Sequence, residues 1–275
     1  MKKLIETALM LFLLLCAAVG ALADEGGAPE SNQNTSSPAK YPWEFDAAVG
    51  YSSGDFGTSK TTRTVYWPFT LRRYLPEGDV SLTLPFINQK SGPGVAALSG
   101  RPFQIGTGAA QESSGGIGDL LLKGRYYLFN EETQDFSLSP IAQIKFPTAD
   151  DKDRLGTGEF DETLGMEAKK MFNERWAGYG DIYYTFIGDP PRVDLNNEFA
   201  YDVGAGYHFS KETEATLFYR ESTALVDNND NPRDIILGVN HDLGEDIAVY
   251  GSLGFGLSDG SPDTSVLLGM SYWFN

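Results

Sequence analysis

The side chains that could do chemistry in this 275-residue chain stand two apart on alternating stretches: Glu44 and Asp46, Lys123 and Arg125, Glu167 and Lys169. Residues i and i+2 of an extended strand share a face, so each pair points the same way. Assigned by parity, one group of stretches contributes Arg72, Lys123, Arg125, Lys145 and Lys169, with Asp119 and Glu167 among them. A second group contributes Asp181, Asp202, Glu214, Asp242, Glu44 and Asp46, with Arg220 and His208 among them. Stretches adjacent in sequence are adjacent in a meander. The expectation is therefore an interior with a mainly basic side and a mainly acidic side. Such a transverse field orients polar solutes and sets selectivity. The same charges could instead pair across the interior and close it.

Catalysis and metal chemistry find little support. The chain has two histidines, His208 and His241, and one cysteine, Cys16. A nucleophilic triad needs a base within hydrogen-bond reach of a nucleophile, and both histidines fall near the same ends of their stretches, away from a plausible serine partner. So few soft ligands argue against a transition-metal site, and no metal or cofactor is expected. Asp150, Asp151, Asp153, Asp227 and Asp230 offer oxygen ligands, yet no loop has the spacing of a calcium motif.

Twelve alternating segments must position these groups, near 43–52, 62–75, 78–87, 116–129, 135–146, 160–172, 175–187, 196–209, 212–224, 233–243, 246–258 and 264–275. Each is about as long as a tilted membrane strand, roughly 9–11 residues or somewhat more. Small and polar residues occupy one parity, apolar and aromatic residues the other, and outward aromatics gather near strand ends as two girdles do at membrane interfaces. Short and long connections alternate, as expected of an even-numbered transmembrane barrel. The fold class expected is an all-β, antiparallel up-and-down transmembrane barrel of about twelve strands over 42–275. Pro68, Pro85 and Pro140 interrupt three strands, where bulges are expected because proline lacks the ladder donor. The long apolar loop 88–115 either folds into the mouth as a constriction, offers a landing site for an apolar solute, or stays a mobile surface loop.

Residues 1–23 read as a secretory signal: Met1, Lys2 and Lys3, an apolar run from Ala8 to Val19, and a small-residue cleavage site ending at Ala23. Residues 24–41 read as a flexible tether rich in Gly, Ser and Pro. Cleavage would remove Lys2, Lys3, Glu6 and Cys16, moving the net charge from −17 to −18 and leaving no cysteine. Such acidity argues against nucleic acid and anionic headgroups as partners. The partners expected are outer-membrane lipids, the barrel-insertion machinery, periplasmic chaperones and a small-molecule solute, in the outer membrane of a Gram-negative bacterium.

Two stretches carry resemblances. The closing strand, with Gly269, Tyr272 and Phe274, resembles the C-terminal targeting signal of outer-membrane barrels; it departs from it at Leu267 and in ending on Asn275. Gly118-Asp119 opening a strand, Lys145-Phe-Pro-Thr148 leaving the next, and Leu155-Gly-Thr-Gly158 closing the loop together resemble the bacterial family named "Putative MetA-pathway of phenol degradation". The resemblance implies an outer-membrane barrel acting as a channel or transporter for small, hydrophobic or aromatic compounds. It also gives Asp119, Pro147, Thr148, Asp150 and Asp151 as a shaped pore mouth; alternatively these residues only cap and turn the strands.

Overall fold

A computed structural model describes residues 41–91, 94–98, 101–104, 112–150, 153–190 and 193–275. Residues 1–40, on which the expected signal peptide and most of the expected tether fall, and Asp151 lie outside the described residues. Strands β1 (Trp43–Gly54), β2 (Thr62–Leu75) and β3 (Gly78–Ser91) begin the wall. A small hairpin follows, β4 (Val95–Leu98) and β5 (Arg101–Gln104). The fourth wall strand comes in two pieces, β6 (Glu112–Ile117) and β7 (Leu120–Tyr126), and a one-turn helix, α1 (Glu131–Gln134), leads to β8 (Ser137–Phe146). Then come β9 (Asp161–Met171), β10 (Trp176–Phe186), β11 (Glu198–His208), β12 (Thr213–Ser222), β13 (Arg233–Asp242), β14 (Ile247–Gly256) and β15 (Thr264–Phe274). Every wall strand pairs antiparallel with its sequence neighbours, and β1 pairs with β15 from Trp43↔Phe274 to Ser53↔Thr264. With β2 also paired to β3, the ring is closed. Counting β6 and β7 as one, it has twelve strands, each overlapping its expected segment. Closure leaves neither terminal strand with an unpaired edge.

The side chains are distributed inside-out relative to a soluble protein. Outward positions hold Phe45, Phe69, Leu82, Leu164, Ile182, Val203, Leu217, Val239 and Leu253, all exposed. Inward positions hold buried Glu44, Ser81, Arg125, Glu167, Asp202, Thr216, Asn240 and Ser271. An apolar exterior over a polar interior is the surface of a transmembrane barrel, where lipid solvates the outside and every backbone group is paired in the wall. Among the described residues, no helix is long and apolar enough to cross a membrane. Aromatic contacts gather at both rims. Trp176–Tyr207 (4.9 Å), Tyr207–Phe209 (5.0 Å) and Tyr272–Phe274 (5.8 Å) lie at the end with short turns. Phe146–Phe160 (5.7 Å) and Tyr184–Phe186 (5.0 Å) lie at the end with long loops.

The expected proline bulges are corrected in part. Pro68 faces Pro85 in an unbroken β2–β3 register, so neither asks the other for the missing donor. The β1–β2 ladder lapses between Ala47↔Phe69 and Gly50↔Tyr66 and resumes in the same register, while Pro140↔Met166 lies in an uninterrupted β8–β9 ladder. A bulge does stand opposite Pro85, on the partner strand: residues 118–120 span the gap between Phe86↔Ile117 and Thr83↔Leu121. There the Gly118 amide donates to the Pro85 carbonyl (2.9 Å). One extra residue bends a strand and re-aims its side chains, which turns Asp119 into the wall.

Candidate functional site

That bulge is where the three motif pieces meet. Asp119, fully buried, accepts the Ala149 amide (3.0 Å) and lies 3.4 Å from the Lys145 ammonium. Lys145, itself 2 % exposed, also reaches Asp161 (2.7 Å) and the Thr157 hydroxyl (2.9 Å). The Thr148 hydroxyl donates to the Gly118 carbonyl (2.9 Å) and accepts from the Leu120 amide (2.9 Å), spanning the break in the strand. Gly156 packs against Asp119 so closely that a Cβ would fall 2.7 Å from its carboxylate. The Gly-Asp, Pro-Thr and Gly-Thr-Gly segments are thus one knot around the buried Asp119 and Lys145: a polar staple for a broken strand, next to the mouth. Pro147 turns the chain out of β8, and Asp150 is exposed on the loop above. A sequence profile of the family described as "Putative MetA-pathway of phenol degradation" matches residues 26–274. The chain belongs to this family.

Solved structures are similar at the level of fold. An outer-membrane channel from Pseudomonas putida F1 aligns with a TM-score of 0.61 at 15% identity, covering 86% of this chain and 98% of that one. The NanC porin aligns at 0.53 and 10% identity, covering 83% and 98%. The transport unit of the autotransporter AIDA-I from Escherichia coli aligns at 0.52 and 12%, covering 89% and 92%. No curated protein sequence matches the chain.

Inside the barrel, the expected basic side is not left uncompensated, whereas the acidic side keeps its excess of carboxylates. Each cation assigned to the basic side, Lys169 apart, stands against a carboxylate. Arg72 lies 3.8 Å from Glu44 and 3.6 Å from Asp79; Arg125 lies 3.3 Å from Asp79 and 2.7 Å from Glu167; Lys123 lies 2.8 Å from Glu167. Lys169 places its ammonium 5.7 Å from the centre of the Tyr179 ring. On the other side Arg220 grips Asp202 through two nitrogens (2.9 and 3.2 Å). The reason is desolvation: an ion taken out of water costs several kcal/mol unless a counter-charge meets it.

At the short-turn end these groups interlock. Glu44, Arg72, Asp79, Arg125, Glu167, Lys169 and Glu214 are each less than a tenth exposed. The Tyr74 hydroxyl donates to Glu44, and the Tyr179 hydroxyl donates to Glu214 (both 2.5 Å). Tyr127, just past β7, donates to Asp79 (2.7 Å), and burial followed by that carboxylate pushes its phenol above the ordinary range. His208 lies 3.5 Å from Glu214, and His241 meets the Thr213 hydroxyl at 2.8 Å. Asp242 sits half-buried at the short-turn end of β13, its amide donating to the Glu212 carbonyl (2.8 Å).

Higher up, the interior opens. A cavity of about 440 Å³ occupies the middle of the barrel, lined by Asp46, Lys123, Glu167, Asp181, Asp202 and Arg220 among others. A second, of about 300 Å³, lies toward the long loops and shares Tyr66, Leu121, Gln143, Arg220 and Ser222 with the first. A third, of about 270 Å³, lies among the loops. Arg101 and Glu198 line all three. Arg101 belongs to β5, and its ion pair with Glu198 of β11 (2.6 Å) ties the β4–β5 hairpin to the opposite wall. Phe103 packs against Ile187, Leu195 and Leu225, and the Asn229 side chain donates to the Gln104 carbonyl (2.9 Å). Of the three readings of loop 88–115, the described part realises the first: it folds into the mouth.

The sequence reading missed Asp79, Asp161, Arg101 and Glu198. Parity could have found Asp79, because Val80 and Leu82 point outward. It offered nothing for Arg101, which lies in a loop without periodicity. The closing signal also acquires contacts: Gly269 is buried beneath the Tyr250 ring, whereas Tyr272 and Phe274 stack outward.

Proposed function

We propose that this chain is an outer-membrane channel or transporter for small solutes, including those with an apolar or aromatic body, in a Gram-negative bacterium. The observation that carries this reading is the run of three cavities from the loops to mid-barrel, all touching the Arg101–Glu198 pair. A polar, water-accessible interior crossed by a tethered hairpin is a constricted path rather than a dry core. The signal peptide, cleaved after Ala23, directs export; chaperones and the insertion machinery deliver the barrel, with short turns in the periplasm. No step of the reading is enzymatic.

The competing reading is a structural barrel with a blocked interior, and the interlocked charges at the short-turn end favour it. Planar-bilayer recording separates the two. The mature protein is expected to give small conductance steps, and Arg101→Ala, which releases the hairpin from Glu198, larger ones. Absence of steps and of solute uptake into liposomes, in the wild type, in Arg101→Ala and after neutralising Arg125 or Lys169, sinks the channel reading.

A further inference from the structure

Five carboxylates and three cations line the mid-barrel cavity. The cations are engaged: Arg101 by Glu198, Lys123 by Glu167, Arg220 by Asp202. Asp181 and Asp46 are bonded differently. Asp46 accepts the hydroxyls of Tyr250 (2.9 and 3.0 Å) and Ser271 (2.8 Å), and Asp181 accepts the Ala168 amide (3.3 Å). Asp181 also stands directly across the ladder from Glu167 on one side and Asp202 on the other. Glu167 and Asp202 have their cations in Lys123, Arg125 and Arg220, whereas Asp181 accepts a backbone amide. Like charges opposite one another in a sheet repel, so the repulsion left in this row falls on Asp181 and is relieved when a cation arrives. β1 and β10 are six places apart in a ring of twelve, so Asp46 and Asp181 reach the cavity from opposite walls.

The rest of the lining fits an organic cation rather than a metal ion. Tyr183, Tyr250 and the buried Phe218 present aromatic surface to the cavity, and aromatic faces attract ammonium groups. Ser222, 3 % exposed, lines both the middle and the upper cavity, and its hydroxyl has no hydrogen-bond partner among the described residues. A buried hydroxyl at a cavity wall is a place for a ligand's polar group. The volume, about 440 Å³, lies in the range of sites for small organic ligands.

We infer that the mid-barrel cavity is a binding site for a small organic cation, a protonated amine carrying an aromatic body, with the ammonium held by Asp181. The inference rests on the channel reading for its biological meaning, but binding can be measured without transport. The full barrel in a non-ionic detergent is titrated calorimetrically with phenethylammonium, 2-phenylethanol and phenylacetate, with micelle blanks subtracted. Phenethylammonium is expected to bind about tenfold more tightly than the neutral analogue, the effect of one partly screened charge contact, and phenylacetate more weakly than either. Asp181→Asn, near-isosteric, should abolish the preference for the cation. Equal binding of all three probes by the wild type, preference for phenylacetate, or a cation preference that survives Asp181→Asn in a folded barrel overturns the site. If that variant does not fold, the wild-type ranking decides alone. A barrel that binds the cation but conducts nothing sinks only the channel reading; one that conducts without the cation preference sinks only this site.

Discussion

Glu167→Gln tests whether the interior charges are held out of water. The Glu167 carboxylate is 3 % exposed and receives the Arg125 guanidinium (2.7 Å), the Lys123 ammonium (2.8 Å) and the Tyr183 hydroxyl (3.2 Å). The substitution keeps size and shape and removes one charge from between two cations. Breaking a buried ion pair by removing one partner costs about 3–5 kcal/mol. The lower end applies here, about 3 kcal/mol, because Arg125 keeps Asp79 at 3.3 Å and the Lys123 side chain is 15 % exposed. In urea, with a slope of roughly 3 kcal/mol/M, the unfolding midpoint should fall by about 1 M. Tryptophan fluorescence of the barrel in lipid vesicles reads that shift. Adding Arg125→Gln should recover at least about 1 kcal/mol, since the pair is then removed together rather than broken. A single variant within about 0.5 kcal/mol of wild type, the range of ordinary surface substitutions, would refute the reasoning. It would mean that water already screens these charges and that the short-turn end is wet.

Two further substitutions test the staple and the seam. Asp119→Ala leaves the Ala149 amide and one side of Lys145 without their acceptor, at about 1–3 kcal/mol; protease cleavage in the 147–160 loop of the membrane-inserted protein should increase, and an equally resistant loop would count against the staple. Gly269→Ala would set a Cβ 2.1 Å from the Tyr250 ring and force that ring off Asp46. The yield of heat-modifiable barrel should drop and be restored by adding Tyr250→Ala; a wild-type yield from Gly269→Ala alone would show that Gly269 serves only as a targeting mark.

The wall was legible in the sequence because a strand writes its two faces in alternate residues and a barrel needs both faces to be consistent all the way round. The same periodicity gave the inward parity of Arg72, Lys123, Arg125, Asp181 and Asp202. What it could not give was stagger. Arg125 meets Glu167 across an intervening strand because of how far β7, β8 and β9 are displaced along one another, and parity carries no height. The bulge at 118–120 was illegible for a related reason. A proline marks a strand that lacks a donor, but not which neighbour will absorb the extra residue. Loop 88–115 had apolar residues and no period, so its hairpin, and with it Arg101, could not be placed.

These omissions bear on how the interior works. A transverse field across a wide pore requires uncompensated rows of opposite sign; here Asp79 and Asp161, entering among the basic residues, cancel one of those rows locally. The cation that spans the barrel is instead Arg101, carried by a loop and held by Glu198 of the opposite wall. Its side chain is about a third exposed, so solvent competes for the pair, which is worth no more than a surface ion pair, about 0–1 kcal/mol. The ion pairs at the short-turn end, by contrast, join side chains that are buried on both sides. Breaking the Arg101–Glu198 pair therefore costs far less than breaking the pairs below it. If one charged contact in this barrel yields to a passing solute, the energetics single out the one that borders all three cavities.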